Sequence, residues 1–233
     1  MKKLIIMLMI VFGFAGPAIA KKAKVMVPAP IVSSVPTALP ENILVLELST
    51  GGAVRIQLRP DKAPGHIDRI KTLARAGFYD NVVFHRVIDG FMAQTGDPEG
   101  TGLGGSPLPD LKAEFNDTPH MRGVASMART DAVNTANSQF FICFMPTMKL
   151  DNKYTAFGRV ISGMNFVDAI ERGEPPVSPS KIVKAWIEGD GPDAPRVPLT
   201  IPTAAVAMPV PLDTPLPPSA PPPPDLPVPT PRS

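Results

Sequence analysis

Proline placement limits how much of this chain can fold. Of the 31 prolines in 233 residues, 16 fall in the stretch from Gly191 to Ser233. Proline lacks a backbone N–H and fixes φ, so this density defeats both helix and sheet ladders. The composition therefore excludes a second folded domain at the C-terminus and predicts a disordered, Pro-rich tail over 191–233. Around Pro221–Pro224 that tail favours polyproline II, a semi-rigid spacer. Four further prolines, from Pro28 to Pro40, mark a linker over 21–41, where Ala, Val, Ser and Pro follow one another without period. What remains, residues 42–190, is one domain of ordinary size with room for a hydrophobic core.

The first twenty residues read as a targeting segment. Lys2 and Lys3 precede an apolar run from Leu4 that ends in Ala18-Ile19-Ala20, passing Gly13, Gly16 and Pro17. A short basic stretch, an apolar core and an A-x-A site describe a secretory signal peptide cut after Ala20, and hence a periplasmic or otherwise exported protein. The competing reading is an uncleaved anchor, but Leu4–Ala20 is at the lower limit for spanning a bilayer, with Gly and Pro near its end. After cleavage no membrane association is expected.

Removal of Lys2 and Lys3 also changes the charge balance. The whole chain has 23 basic and 21 acidic side chains, so the cleaved form carries 21 of each. The basic pI of 8.7 then gives no support for a nucleic-acid partner. Cys143 is the single cysteine, which excludes an intramolecular disulfide. It lies in the apolar run Phe140–Phe144 and reads as a small buried hydrophobe. Three histidines, His66, His85 and His120, and one cysteine show no ligand spacing, so neither a metal site nor a cofactor is expected.

Within 42–190, short runs of branched and aromatic residues predict strands at Ile43–Leu48, Val54–Leu58, Val82–Ile88, Phe91–Thr95, Gly123–Ala128, Gln139–Phe144, Thr155–Ile161 and Lys181–Glu188. Ser49-Thr50-Gly51-Gly52 is a hairpin signal between the first two. Helical spacing appears over His66–Phe78, after Pro64 and before Gly77, and over Met164–Arg172. The sum is a mainly β, antiparallel closed sheet with two helices.

One group of strands holds the unusual residues. Alternation puts Phe84, Arg86 and Ile88 on one face of their strand, Met92 and Gln94 on one face of the next, and Gln139, Phe141 and Cys143 together on a third. A guanidinium among apolar neighbours is costly unless something accepts its hydrogen bonds. The surface would carry one fixed cation, two amides and large apolar side chains, with no nucleophile–base pair and no paired carboxylates. The plain structural alternative is an arginine in a polar network.

The segments Phe84–Asp97 (FHRVIDGFMAQTGD), Gly123–Arg129 (GVASMAR), Ser138–Cys143 (SQFFIC) and Leu150–Val160 (LDNKYTAFGRV) closely resemble those of the cyclophilins, the peptidyl-prolyl cis–trans isomerases. They stand in the family's order and spacing and cover essentially all of 42–190. The resemblance implies an eight-stranded antiparallel closed barrel capped by two α-helices. It implies Arg86 as the catalytic residue and Phe91, Met92, Phe141 and Leu150 as the walls of a proline pocket. Gln94 is implied to brace the arginine and touch substrate, the backbone at Ala128 and Arg129 to bind the peptide, and Gln139 to lie close by. X–Pro polypeptides are the implied substrates, bacterial relatives look most alike, and a monomer is expected.

Three positions depart from the best-known members. Tyr154 stands where they have a histidine, and its ring can still wall the pocket. Lys149 replaces the tryptophan of cyclosporin-sensitive members, so weak or no cyclosporin binding is expected. Arg129 replaces an asparagine whose backbone does the binding.

Two other functions match parts of the sequence. Gly100–Gly105 satisfies G-x-G-x-x-G, but Pro107 and Pro109 forbid the helix that a dinucleotide motif must open; the glycines instead predict a loop beside the groove. A non-catalytic proline-binding or chaperone module would be signalled by loss of the arginine, and Arg86 is present. His85 should face away from Arg86, and His66 and His120 have no partner that spacing identifies.

Overall fold

The computed structural model describes residues 38–200, and the signal segment, most of the linker and the tail beyond residue 200 lie outside them. The chain forms β1 (Ile43–Leu48), β2 (Gly52–Leu58), α1 (Pro64–Arg75), β3 (Arg86–Ile88), β4 (Met92–Thr95), β5 (Val124–Met127), β6 (Phe140–Cys143), β7 (Ala156–Ser162), α2 (Met164–Asp168) and β8 (Ile182–Ile187). The eight strands form one sheet in the order β3-β4-β6-β5-β7-β2-β1-β8, with every ladder antiparallel.

The mainly β architecture with two helices agrees with expectation, but the sheet is an open half-barrel and not a closed barrel. No ladder joins β3 to β8. The two edges meet at a single bridge, Val83 to Lys181, with the Phe84 N–H donating to Ser180 O at 2.9 Å and the Ile182 N–H to Val82 O at 2.9 Å. The physical reason is a break within the predicted strand Val82–Ile88. Its first half pairs across to residues 180–182, and only Arg86–Ile88 pairs with β4. The second helix is also shorter than its spacing suggested, ending at Asp168.

The main core lies under the concave sheet and α1. Phe84, Phe140, Phe157 and Tyr79 are fully buried there. Tyr79 and Phe140, and Phe140 and Phe157, meet edge to face at 5.6 and 5.9 Å, and the Tyr79 hydroxyl donates to Ser138 O at 3.0 Å. Truncation of such a ring to alanine costs about 3–5 kcal/mol.

The N-terminus of α1 is capped from a distance. Ala63 offers no side-chain acceptor, and the Glu114 carboxylate instead accepts from the Gly65 and His66 N–H groups, each at 3.1 Å. At the other end Gly77, with φ +72°, closes the helix as only glycine does cheaply. The Phe78 N–H returns to Leu73 O at 3.0 Å.

Packing continues past the Asp190 boundary drawn from composition. Arg196 donates to Ala74 O and Ala185 O at 2.9 and 3.0 Å and pairs with Asp80. The Val197 N–H reaches Arg75 O at 3.0 Å. The first ten residues assigned to the tail therefore belong with the domain, because an arginine among the prolines finds three backbone and side-chain acceptors.

His66 and His85 are buried with unmatched ring nitrogens. His66 Nδ1 meets Glu114 at 2.6 Å, which leaves Nε2 without a partner, and both ring nitrogens of His85 are unpartnered. Burial pushes both below the ordinary value of 6.5. The unfolded chain binds protons near that value while the folded chain resists. Their contribution is thus complete above about pH 6.5 and is lost below it, by at most about 1.4 kcal/mol per pH unit for each. The urea midpoint should fall between about pH 7.5 and 5.5, and His66→Gln should lessen the fall. A midpoint independent of pH would contradict this account.

Candidate active site

Strand pairing brings the predicted residues into one row. Arg86 lies opposite Gln94, Gln94 opposite Phe141, and Phe141 opposite Ser126. One step along, Ile88, Met92 and Cys143 make a parallel row. Because successive side chains alternate, these positions face away from Ala93, Phe140 and Ile142, which belong to the main core.

On that outer face a second apolar cluster forms. Met92, Phe141, Cys143 and Leu150 are buried in it, and Ile88, Phe91, Ala128 and Tyr154 pack against it. Phe91 sits on the turn before β4, held by its carbonyl accepting from the Phe144 N–H at 2.8 Å. Leu150 ends a 3-10 turn, Met148–Leu150. Phe141 meets Tyr154 edge to face at 5.9 Å and stacks on His120 at 6.3 Å. All four predicted pocket walls, with Tyr154, are thus gathered together.

Arg86 stands beside this cluster with about a quarter of its side chain exposed, and its Nε donates to Glu174 at 2.6 Å. The expectation that Gln94 braces the arginine is corrected. Gln94 donates to Gln139 Oε1 at 2.9 Å, and it is Glu174 that holds Arg86. Glu174 lies 88 residues further on, in the irregular segment Gly173-Glu174-Pro175-Pro176. Two hydrogen bonds between Val87 and Gly173, at 2.8 and 2.9 Å, bring it to β3. No period or motif marks it.

Gln139 links the site to the glycine loop, its Nε2 donating to Gly102 O and Gly104 O at 2.9 and 2.8 Å. The loop is wound around Asp97. Burial alone would raise that carboxyl, yet N–H donors from Glu99, Gly102 and Gly104 and the Thr101 hydroxyl hold it below the usual carboxylate range. A Cβ on Gly104 would lie 2.2 Å from Asp97 Oδ1, so the turn requires glycine there. Between loop and sheet lies a groove of about 560 Å³, whose lining includes Gln94, Ala128, Arg129, Asn137 and Gln139. The Ala128 N–H is already engaged with Gln139 O at 2.9 Å.

His120 has two partners that spacing did not reveal. Its Nδ1 meets Asp151 at 2.8 Å and its Nε2 meets the Ser126 hydroxyl at 3.0 Å. The order Ser–His–Asp resembles a hydrolytic triad, but Ser126 is fully buried beside Phe141, where no substrate carbonyl can reach it. The trio works as a strut, joining β5 to the residue that follows Leu150. Alternation fails at the start of the predicted strand: Phe84, expected on the face of Arg86, enters the main core, because regular strand begins only at Arg86. His85 is buried beside the glycine loop, where a Cβ on Gly102 would lie 3.4 Å from its ring.

Strand pairing thus sets Arg86 in a row with Gln94 and Phe141 beside an external apolar cluster on an antiparallel sheet. Comparison with known proteins gives the class. A family model described as cyclophilin type peptidyl-prolyl cis-trans isomerase/CLD matches residues 44–187. A probable peptidyl-prolyl cis-trans isomerase of Brucella suis biovar 1 is 45% identical over 194 residues, which span 76% of this chain and 98% of that one. A peptidyl-prolyl cis-trans isomerase-like 1 of Aspergillus fumigatus is 42% identical over 149 residues, 60% of this chain and 92% of its own. Among solved structures, the cyclophilin AquaCyp293 of Hirschia baltica superposes with a TM-score of 0.61 at 30% identity, over 66% of this chain and 76% of that one. A Cryptosporidium parvum cyclophilin crystallised in the presence of the dipeptide Ala-Pro gives 0.58 at 28% identity, over 62% and 98%. The chain belongs to the cyclophilin-type peptidyl-prolyl cis-trans isomerases.

Cys143 tests the cluster directly. Its burial pushes the thiol up to about 12, so the thiolate is scarce at ordinary pH. The native protein should fail to react with a disulfide reagent at about pH 8 and react fully in denaturant; rapid native labelling would show that the cluster is open.

Proposed function

We propose that the protein accelerates X–Pro rotation in exported or folding polypeptides, with Arg86 as the catalytic residue and the Phe91–Met92–Phe141–Leu150 cluster as the proline pocket. The observation that carries this reading is the strand register that sets Arg86 in one row with Gln94 and Phe141, next to the external apolar cluster, with its Nε donating to Glu174. That contact uses Nε and leaves both terminal amino groups available to donate.

The chemistry needs little more. An X–Pro bond turns over tens of seconds because its partial double bond must twist, against a barrier of about 20 kcal/mol. Reaching milliseconds takes about four decades, or about 5.5 kcal/mol. As the bond twists, the proline nitrogen pyramidalises and its lone pair becomes a hydrogen-bond acceptor. A terminal amino group of Arg86 donates to it, an interaction absent from the planar ground state and therefore catalytic. Phe91, Met92, Phe141 and Leu150 hold the ring while the remaining peptide rotates, and they exclude water, which strengthens the arginine's effect. Gln94 and Gln139, with the backbone at Ala128 and Arg129, align the peptide along the groove. Tyr154 closes the far wall.

Arg86→Ala should lower turnover of an Ala-Pro test peptide at least tenfold, with the circular dichroism spectrum unchanged. Equal activity of the variant would remove this mechanism.

Export follows in the same reading from Lys2, Lys3, the apolar run and Ala18-Ile19-Ala20, in a bacterial periplasm. The mature protein recovered from the host should begin at Lys21 on N-terminal sequencing; a protein retaining Met1 in the membrane fraction would support the anchor instead. Lys149 removes the indole donor and face that cyclosporin needs, so binding of that drug is weak.

A further inference from the structure

Two of the three positions that depart from the family pattern place cations on the pocket's rim. Lys149 is exposed, and its Nζ lies 5.2 Å from the centroid of the Phe91 ring. Arg129 lies with its guanidinium carbon 4.7 Å from the centroid of Tyr154. Phe91 and Tyr154 both pack against the buried pocket cluster, so each of these wall rings carries a positive charge on its face.

Neither charge has an acidic partner. Among the described residues, no ion pair within 4.0 Å includes Lys149 or Arg129. Arg129 donates only to the backbone carbonyls of Lys153, Thr130 and Asp131. Arg86, by contrast, is matched by Glu174. Of the carboxylates on neighbouring segments, Asp151 accepts from the His120 N–H and ring, and Asp110 accepts from Asn137. Asp131, exposed on the loop after Arg129, contributes its carbonyl there. Lys153, also exposed, adds a further positive charge beside Tyr154.

We propose that this isomerase favours X–Pro segments carrying a carboxylate beside the proline, and that Lys149 and Arg129 select them. The proposal rests on the reading of the Phe91–Tyr154 cluster as the proline site. With the ring seated there, the neighbouring Cα atoms lie about 3.8 Å from that of proline, or about 2.9 Å across the X–Pro bond when it is cis, so a Glu or Asp side chain extends over the rim. An ammonium keeps three donors and a guanidinium five, so each can meet a carboxylate while resting on its aromatic ring. At exposed sites such contacts are modest, giving a preference of about two- to five-fold that salt screens.

The test compares three otherwise identical X–Pro peptides bearing Glu, Ala or Lys next to proline, on each side in turn. Their kcat/KM values are measured at about 20 mM and about 500 mM salt with wild type, Lys149→Glu and Arg129→Gln. We expect Glu above Ala above Lys at low salt, convergence at high salt, and loss or inversion of the order in Lys149→Glu, with a smaller loss in Arg129→Gln. Equal values for the Glu and Lys peptides at low salt would overturn the proposal, as would a preference that persists at high salt or in both variants. Turnover of all three peptides without preference sinks the selectivity alone, whereas turnover of none sinks the isomerase reading and this inference with it.

Discussion

The antiparallel pairing of β3, β4, β6 and β5 is the constraint on which the rest depends. It fixes side chains in rows and sends alternate ones to opposite faces. Ala93, Phe140 and Ile142 therefore enter the core, while Met92, Phe141 and Cys143 form a separate cluster outside it. Both faces of β6 are apolar, and all four of its residues are buried. A one-residue slip in this register would exchange core for pocket and remove Gln94 from between Arg86 and Phe141.

The polar contacts around that row work chiefly as spacers. Gln139 ties Gln94 to the carbonyls of the glycine loop, Asp97 gives the loop its curvature, and the Ser126–His120–Asp151 strut fixes the segment bearing Leu150. Each joins elements distant in sequence. These bonds brace the pocket's walls, the Ser126–His120 contact from a buried position and those of Gln94 and Gln139 along the groove.

Much of this was legible in the residues. Strand and helix signals marked the eight strands and both helices, and alternation set Arg86 with Ile88, Met92 with Gln94 and Phe141 with Cys143, but it failed for Phe84, which enters the core because the strand begins only at Arg86. The family motifs added Phe91, Leu150 and Tyr154, which spacing alone does not join to the row. Long-range side-chain partners were not legible. Glu174, Glu114 and Asp151 sit in irregular segments, and only the folded chain brings them to Arg86, His66 and His120. Sheet closure failed for a related reason. A strand-like run from Val82 to Ile88 does not reveal that its two halves pair with different partners. Composition likewise put the domain boundary at Asp190, since it cannot show an arginine finding acceptors among prolines.

A sheet edge presents unpaired backbone N–H and C=O groups to any extended chain. At one edge β3 is only three residues long, and its Val87 is already bridged to Gly173. At the other, the Ala185 N–H donates to Asp80 and the Ala185 carbonyl accepts from Arg196, side chains that also pair with each other. At these positions both borders are occupied by the chain's own groups, which removes part of the template a bare edge would offer to another strand.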